Sequence, residues 1–152
     1  MTKNFEHLNV IRGNVKSIMD DLSLEQLNYI PDGFKNNIIW NIGHILVTQQ
    51  LLVYALSGNK MCFENDFIDA FRKGSKATNV SQEEVELIKK NLFSSIEQTS
   101  KDYEAGLFRQ YKEYPTSFGL SLQTIEDAIL FNNIHEGVHL GYIMALRKNI
   151  PA

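Results

Sequence analysis

The sequence contains little cysteine, proline or glycine: one Cys, three Pro and nine Gly among 152 residues. The single cysteine, Cys62, cannot form a disulfide within the chain, so the fold does not depend on an oxidising compartment. The low proline and glycine content excludes collagen-like and low-complexity sequence. Basic charge is not in excess, because 15 Lys and Arg stand against 18 Asp and Glu, and the densest basic cluster is Arg72, Lys73 and Lys76. That cluster is too small for an electrostatic nucleic-acid interface, so we expect no nucleic-acid partner.

Targeting and membrane signals are missing as well. Residues 1–7 lack the basic and then apolar segments of a signal peptide. One uncharged segment, residues 36–59, is as long as a membrane span, but polar side chains interrupt it, among them Asn37, Asn41, His44, Thr48, Gln49 and Gln50. A lipid-facing helix rarely carries so many amides. We therefore interpret the segment as the most buried helix of a cytoplasmic protein without a membrane partner.

Apolar residues recur at three- and four-residue spacings along most of the chain, which predicts amphipathic helices. Asn36 or Asn37 is suited to cap the second helix, and Gly58 is suited to follow its end in the left-handed conformation. The four helices are expected at residues 3–22, at about 37–56, after a capping box formed by Ser81 and Glu84, and from an N-cap at Ser121 to near Asn149.

The segments between these helices lack sustained helical or strand periodicity. Residues 23–35 are expected to form a turn, residues 58–80 a long connection with one helical turn, and residues 106–119 an interruption. No repeat or linker divides the chain, and an apolar content of 43% suffices for one hydrophobic core. The sequence therefore predicts one domain over residues 1–152, an all-α four-helix bundle with a long crossover connection.

Two histidines on the fourth helix have the spacing of metal ligands. His135 and His139 are four residues apart, which places their imidazoles one turn from each other on the same face. Two neutral imidazole nitrogens at this spacing can converge on one divalent ion. His44 lies midway along the uncharged second helix, so a third imidazole can point into the same bundle. Three such ligands leave an open position, as in catalytic sites; the alternative is three separate core histidines, each hydrogen-bonded to a neighbour.

The same segment matches the zinc-protease pattern H-E-x-x-H. Only 13 residues follow His139, and they include no His, Asp or Glu that would serve as a third ligand, so a protease is not expected. Glu136 lies about 100° around the helix from His135, at the rim of the metal face. It is a candidate general base, although a solvent-facing or supporting position fits this placement better. Asn132, one turn before His135, is positioned to hold the second nitrogen of an imidazole.

Two further reactive side chains are expected to be structural. His7 lies on an amphipathic helix and is expected at the surface. Cys62 has no adjacent base in the sequence, so we expect a packed thiol and not a nucleophile.

Two sequence elements resemble the DinB/YfiT-like superfamily of small four-helix metalloproteins. Residues 37–46 contain Trp40 and His44 in an arrangement similar to the family's W-x-x-x-H-I/L element on the second helix. Residues 135–147 are similar to its closing element, H-x-x-x-H followed by I-x-x-L-R. Members often carry Gln where this chain has Tyr142.

This resemblance implies one divalent ion per chain, which is Zn, Ni, Fe or Mn in different members. His44, His135 and His139 match the family's three metal ligands. Members are frequently homodimers, and several are thiol-dependent transferases or isomerases that use bacillithiol, mycothiol or glutathione. A homodimer and a small-molecule thiol or electrophile are therefore the expected partners.

We accordingly expect a divalent-metal-dependent enzyme, specifically a thiol S-transferase that acts on small electrophiles. The alternatives are a metal-dependent hydrolase and a non-catalytic metal-binding helical module that dimerises. Helical spacing places four side chains within reach of the ligand face, where they either line a substrate pocket or simply pack in the core: Trp40, Thr48, Phe131 and Tyr142.

Overall fold

Four long helices form a bundle in the computed structural model, which describes residues 1–151. The elements in chain order are α1 (Thr2–Asp20), α2 (Leu24–Asn28), α3 (Ile38–Gln49), a π-helical continuation of α3 (Gln50–Ala55), α4 (Asn65–Phe71), α5 (Gln82–Glu104), β1 (Tyr114–Pro115), β2 (Ser121–Leu122) and α6 (Ile125–Arg147). Helix α1 packs against α5 and α6, and α3 packs against the same two helices. The order around the bundle is therefore α1, α5, α3, α6, which confirms the predicted fold class.

Side chains that accept hydrogen bonds from backbone amides cap the N-termini of α3, α5 and α6. The Asn37 side chain accepts a 2.8 Å bond from the Trp40 amide and caps α3, as one of the two predicted candidates. The predicted capping box at Ser81 and Glu84 is present at the start of α5. The predicted cap of α6 is wrong, because Thr124 caps this helix in a capping box with Asp127. Ser121 instead belongs to β2, where it pairs with Pro115 of β1.

Four short elements differ from the predicted organisation: α2 and β1 lie in segments expected to be irregular, α4 is longer than the single helical turn expected in residues 58–80, and β2 lies where the fourth helix was expected to begin. The five residues of α2 follow a capping box at Ser23 and Gln26, within the predicted turn. The seven residues of α4 occupy part of the predicted long connection. The antiparallel pair β1–β2 has two residues in each strand. Elements of this length contain too few residues to show a periodic apolar pattern in the sequence.

Helix α3 and its continuation form the centre of the core. The window Ile38–Ala55 is long and apolar enough to cross a membrane by length and composition, but 83% of it is buried inside the bundle. This confirms the interpretation of the uncharged segment as a buried bundle helix. The cytoplasmic location stays a prediction.

A fully buried ion pair links the four long helices. Arg12 of α1 donates to both carboxylate oxygens of Glu136 of α6, from Nε at 2.9 Å and from Nη2 at 2.7 Å. It also donates to Gln49 Oε1 of α3 at 2.9 Å. Its Nη1 donates to the Leu92 carbonyl and to Ser95 Oγ of α5, both at 2.7 Å. Every N–H donor of the guanidinium therefore has a protein acceptor, and both members of the ion pair have 0% exposure.

We predict that Glu136→Gln destabilises the protein by about 3–5 kcal/mol, because it leaves the Arg12 charge buried without a counter-charge. Urea unfolding at pH 7 measures the change. The matched control is Lys101→Ala, which removes an ion pair to Glu97 that is exposed on both sides. That substitution is expected to leave stability unchanged. Equal effects of the two substitutions would contradict the structural importance of the buried pair.

Candidate metal centre

Two helices bring the three predicted histidines together. His44 lies on α3, and His135 and His139 lie on the neighbouring α6. The ring centroids are 5.2 Å apart for His44 and His135, 4.8 Å for His44 and His139, and 4.5 Å for His135 and His139. One ligand nitrogen from each ring lies within 4.8 Å of the other two. The three side chains therefore surround a single position that can hold one metal ion.

Hydrogen bonds orient two of the three rings. His44 Nδ1 lies 2.7 Å from the carbonyl oxygen of Phe71, and His139 Nδ1 lies 2.8 Å from Asn41 Oδ1. Both partners are acceptors, so each Nδ1 carries the proton and each Nε2 keeps its lone pair for a ligand. Asn41 is itself held, because its Nδ2 donates to the Asn37 carbonyl at 2.8 Å.

The Phe71 carbonyl reaches His44 because α4 lies directly against α3. Gly43 makes this approach possible, since a Cβ atom at that residue would overlap the Phe71 ring. Trp40 closes the other side of His44, where the two rings stack with centroids 4.7 Å apart and planes 9° apart. The imidazole is thus fixed by packing on its face as well as by a bond to its edge.

Burial keeps the three imidazoles neutral at pH 7. It lowers the pKa of His44, an effect that the bond to the Phe71 carbonyl partly opposes. Burial together with the nearby imidazoles lowers the pKa of His135 to about 3 and that of His139 to about 4. A neutral imidazole is the form that binds a metal, so the donors are ready at physiological pH.

The donor set fits a divalent first-row ion. Three neutral imidazoles suit zinc, nickel and iron, among others, so the set does not select one metal. His135 Nδ1 is buried and has no hydrogen-bond partner among residues 1–151, unlike the corresponding atoms of His44 and His139. The His135 ring is thus the one member of the triad whose orientation no hydrogen bond to a described residue fixes.

Two adjoining cavities meet at the histidines. The first, which we call the leucine cavity, has a volume of about 290 Å³ and a floor that includes His44 and His135. Leu51, Leu52 and Ala55 reach it from the π-helical continuation of α3, and π-helical turns are frequent at functional sites. The second, the tryptophan cavity, has a volume of about 330 Å³ and is lined by all three histidines with Trp40, Asn36, Asn41, Lys73, Ser117, Phe118, Val138 and Tyr142.

Comparison with known proteins identifies the family. The family model of the DinB superfamily matches residues 7–143, which is most of the chain. The chain belongs to the DinB superfamily. The fold is similar to a crystal structure described as the conserved protein of a locus from Enterococcus faecalis, with a TM-score of 0.66 and 14% identity over 98% of this chain and 95% of that chain. At this identity the likeness shows the shared fold. A search of curated proteins found no match.

The resemblance of the chain to the DinB superfamily is therefore confirmed, and the triad of His44, His135 and His139 can bind a metal. The four predicted pocket residues all lie on cavity walls. Thr48 and Phe131 line the leucine cavity, and Trp40 and Tyr142 line the tryptophan cavity. The Thr48 hydroxyl lies 3.3 Å from His44 Nε2. Contact of these four residues with a substrate stays a prediction.

The expected position of Glu136 at the rim of the metal face is wrong. Its side chain is fully buried, and it lines neither of the two cavities. Its Oε1 also accepts a 2.8 Å bond from Asn132 Nδ2, in addition to the bonds from Arg12. Helix α6 packs against α1 as well as α3, so the direction that was expected to lead to solvent leads to the bundle interior. The carboxylate thus has no access to a substrate in these cavities and cannot act there as a general base.

Asn132 does not hold an imidazole as predicted. Its amide donates to Glu136, and its own Oδ1 has no partner among residues 1–151. The residues that sequence reasoning missed are Asn41 and Phe71. Asn41 lies three residues before His44 in an otherwise apolar stretch, which is a usable signal. The carbonyl of Phe71 gives no signal in the sequence, because every residue has a backbone carbonyl and nothing in the sequence marks this one.

The predicted degree of burial is confirmed for His7 and wrong for Cys62, the two side chains that were expected to be structural. His7 is exposed, as predicted. The prediction of a packed thiol at Cys62 is wrong, because that residue is exposed. Partial desolvation nevertheless raises the pKa of the Cys62 thiol, which lowers the fraction of thiolate at neutral pH.

We predict that the metal-free protein loses stability as the pH falls from 7 to 5. The pKa values near 3 and 4 keep His135 and His139 neutral in the folded state. The unfolded chain takes up these protons below about pH 6.5, so acid favours unfolding by at most about 2 kcal/mol per histidine at pH 5. Urea unfolding at both pH values measures the loss. The double variant His135→Gln, His139→Gln should lose less, and an equal loss would show that the two histidines do not carry the effect.

Proposed function

We propose that this DinB superfamily protein is a divalent-metal-dependent enzyme that joins small electrophiles to the sulfur of a thiol. The observation that carries the proposal is the position of the triad. Three neutral imidazoles converge where two cavities with largely apolar walls meet, and their inward nitrogens face that space. A thiol S-transferase needs a site that generates a thiolate next to a compartment that binds an apolar reactant.

The histidines would hold the ion through their inward nitrogens, with Asn41 and the Phe71 carbonyl fixing the rings of His139 and His44. A divalent ion at this position supplies Lewis acidity, which lowers the pKa of a thiol. The reaction then forms a sulfur–carbon bond and breaks the bond between that carbon and its leaving group, while the thiol proton passes to solvent. The Thr48 hydroxyl lies 3.3 Å from His44 Nε2, and in this proposal it would hydrogen-bond the reacting groups.

The two cavities suit two reactants. The leucine cavity offers aliphatic and aromatic walls from Leu51, Leu52 and Phe131, which would bind an apolar body and exclude water. The tryptophan cavity adds Trp40 and the half-exposed Tyr142 on the other side of the triad. A reaction between a thiol and an electrophile needs both reactants held against each other, and a cavity on each side of the metal position would provide this.

The absence of a carboxylate from these walls favours thiol transfer over hydrolysis. Among residues 1–151, neither cavity is lined by an Asp or a Glu, and Glu136 is bonded to Arg12. A metal-dependent hydrolase commonly uses such a group to take a proton from the attacking water. A thiol needs less help, since its ordinary pKa of about 8.5 is already close to neutral pH.

We also propose that a second copy of the chain covers the exposed face of α6. Leu130, Ile134 and Val138 are exposed along this helix. Between Asp127 and Arg147 the only charged side chain is Glu136, which is buried, so the exposed face carries no charge to keep it in water. Sedimentation equilibrium of the purified chain tests this homodimer, and a monomer at all concentrations would contradict it.

We predict that protein reconstituted with Zn, Ni, Fe or Mn conjugates low-molecular-weight thiols to small electrophiles. The assay uses glutathione, cysteine and bacillithiol with chlorodinitrobenzene and monochlorobimane, and it follows the thioether product. His44→Ala should lower the rate more than about 100-fold, beyond what loss of an outer hydrogen-bond partner costs at a metal site. Chelation should have the same effect.

The matched control is His7→Ala, which removes an exposed histidine outside the triad and should leave the rate unchanged. Metal-dependent cleavage of esters or lactams without thiol conjugation would favour a hydrolase. Metal-dependent stability without either reaction would favour the non-catalytic module.

A further inference from the structure

Among residues 1–151, the walls shared by the two cavities contain one lysine, Lys73, and no other Lys, Arg, Asp or Glu. Both cavities are lined by His44, His135, Lys73, Ser117 and Phe118. The two histidines are candidate metal ligands, and Ser117 and Phe118 carry no charge. Within the part of the chain that the structure describes, neither cavity has an acidic side chain on its wall. Apart from a metal ion held by the triad, Lys73 is therefore the only charged group that the described residues place on the shared walls, and it is positive.

Lys73 has no protein partner in residues 1–151. It forms neither an ion pair nor a side-chain hydrogen bond there, although neighbouring Arg72 pairs with Asp69. It lies two residues after Phe71, whose carbonyl holds His44, so the turn that orients this ligand also brings the ammonium group to the cavities. The ammonium group is close enough for its charge to lower the pKa of His44.

An unpaired ammonium beside an apolar cavity favours one class of ligand. The leucine cavity offers aliphatic and aromatic walls to an apolar body, and its volume of about 290 Å³ is near the lower end of small-molecule sites. A ligand anion at Lys73 would gain a charge-assisted hydrogen bond, and no acidic side chain on the cavity walls would repel it. A neutral ligand of the same length would gain only the apolar contacts.

We propose that Lys73 is a specificity-determining residue that binds an anionic group of the substrate. The site then selects small molecules with an apolar body and one acidic end, such as a carboxylate. This inference rests on the proposed function in that it concerns a substrate of the same site. The acidic group would distinguish substrates from neutral molecules of equal size.

Two pairs of ligands test the proposal. In metal-free protein, hexanoate and hexanol are titrated by NMR, so that neither metal nor thiol contributes to binding. In nickel-loaded protein, mercaptohexanoate and mercaptohexanol are titrated by the absorption of a nickel–thiolate bond. The wild type should bind the acid of each pair more tightly. Lys73→Ala should weaken binding of both acids about 5- to 10-fold and leave the alcohols unchanged.

Two control variants show whether Lys73→Ala weakens binding through loss of its charge or through a disturbed structure. Lys73→Arg should keep the preference for the acid. Lys76→Ala removes an exposed lysine that lines neither cavity, and it should bind all four ligands as the wild type does. An unchanged acid-to-alcohol ratio for hexanoate and hexanol in Lys73→Ala would overturn the proposal.

The titrations of the two ligand pairs also show whether the role of Lys73 or the proposed thiol binding at the metal has failed. If nickel–thiolate absorption is absent while Lys73 still sets the preference for hexanoate, thiol binding at the metal is wrong and the anion site stands. If the absorption is present and equal for both thiols in all variants, the thiol site stands and the role of Lys73 is wrong.

Discussion

The contacts of one guanidinium set the geometry of the bundle. Arg12 projects from α1 and bonds side chains or carbonyls of α3, α5 and α6, so all four long helices meet at a single group. Its partner Glu136 immediately follows His135, which couples the rotation of α6 about its axis to the ion pair. With Glu136 turned toward Arg12, His135 and His139 are turned toward α3 and His44. The interaction that organises the core therefore also positions the candidate metal ligands.

The polar residues of α3 explain why an uncharged, membrane-length helix lies inside a bundle. Gln49 accepts a bond from Arg12 and donates to Thr99 of α5, so it belongs to the buried network. Asn41 orients His139, and His44 is itself a candidate ligand. Each of these polar groups is satisfied by a neighbour on another element, which a bilayer would not provide. The apolar residues of the segment thus pack in the core, and these three polar residues belong to the buried network or to the candidate site.

The triad was predictable from the sequence, because the four-residue spacing of His135 and His139 is a local property of one helix. The position of His44 in the uncharged second helix indicated the third ligand, and the resemblance agreed with it. It misplaced Glu136, since the partner that draws this carboxylate inward is 124 residues away in the chain. The support from Phe71 and the cavity wall at Lys73 come from a connection without periodic pattern, so only the folded chain reveals them. Long helices and local spacings were predictable, whereas contacts between distant loops and helices were not.

The most direct test of the central claim is X-ray absorption at the metal edge of protein reconstituted with zinc. We expect one ion per chain with three imidazole nitrogens at about 2.0–2.1 Å and at least one further light-atom ligand. His135→Ala should lose stoichiometric zinc, whereas His7→Ala should retain it with the same spectrum. Full zinc occupancy in His135→Ala, or a wild-type spectrum with fewer than three imidazoles, would contradict a shared metal position between α3 and α6.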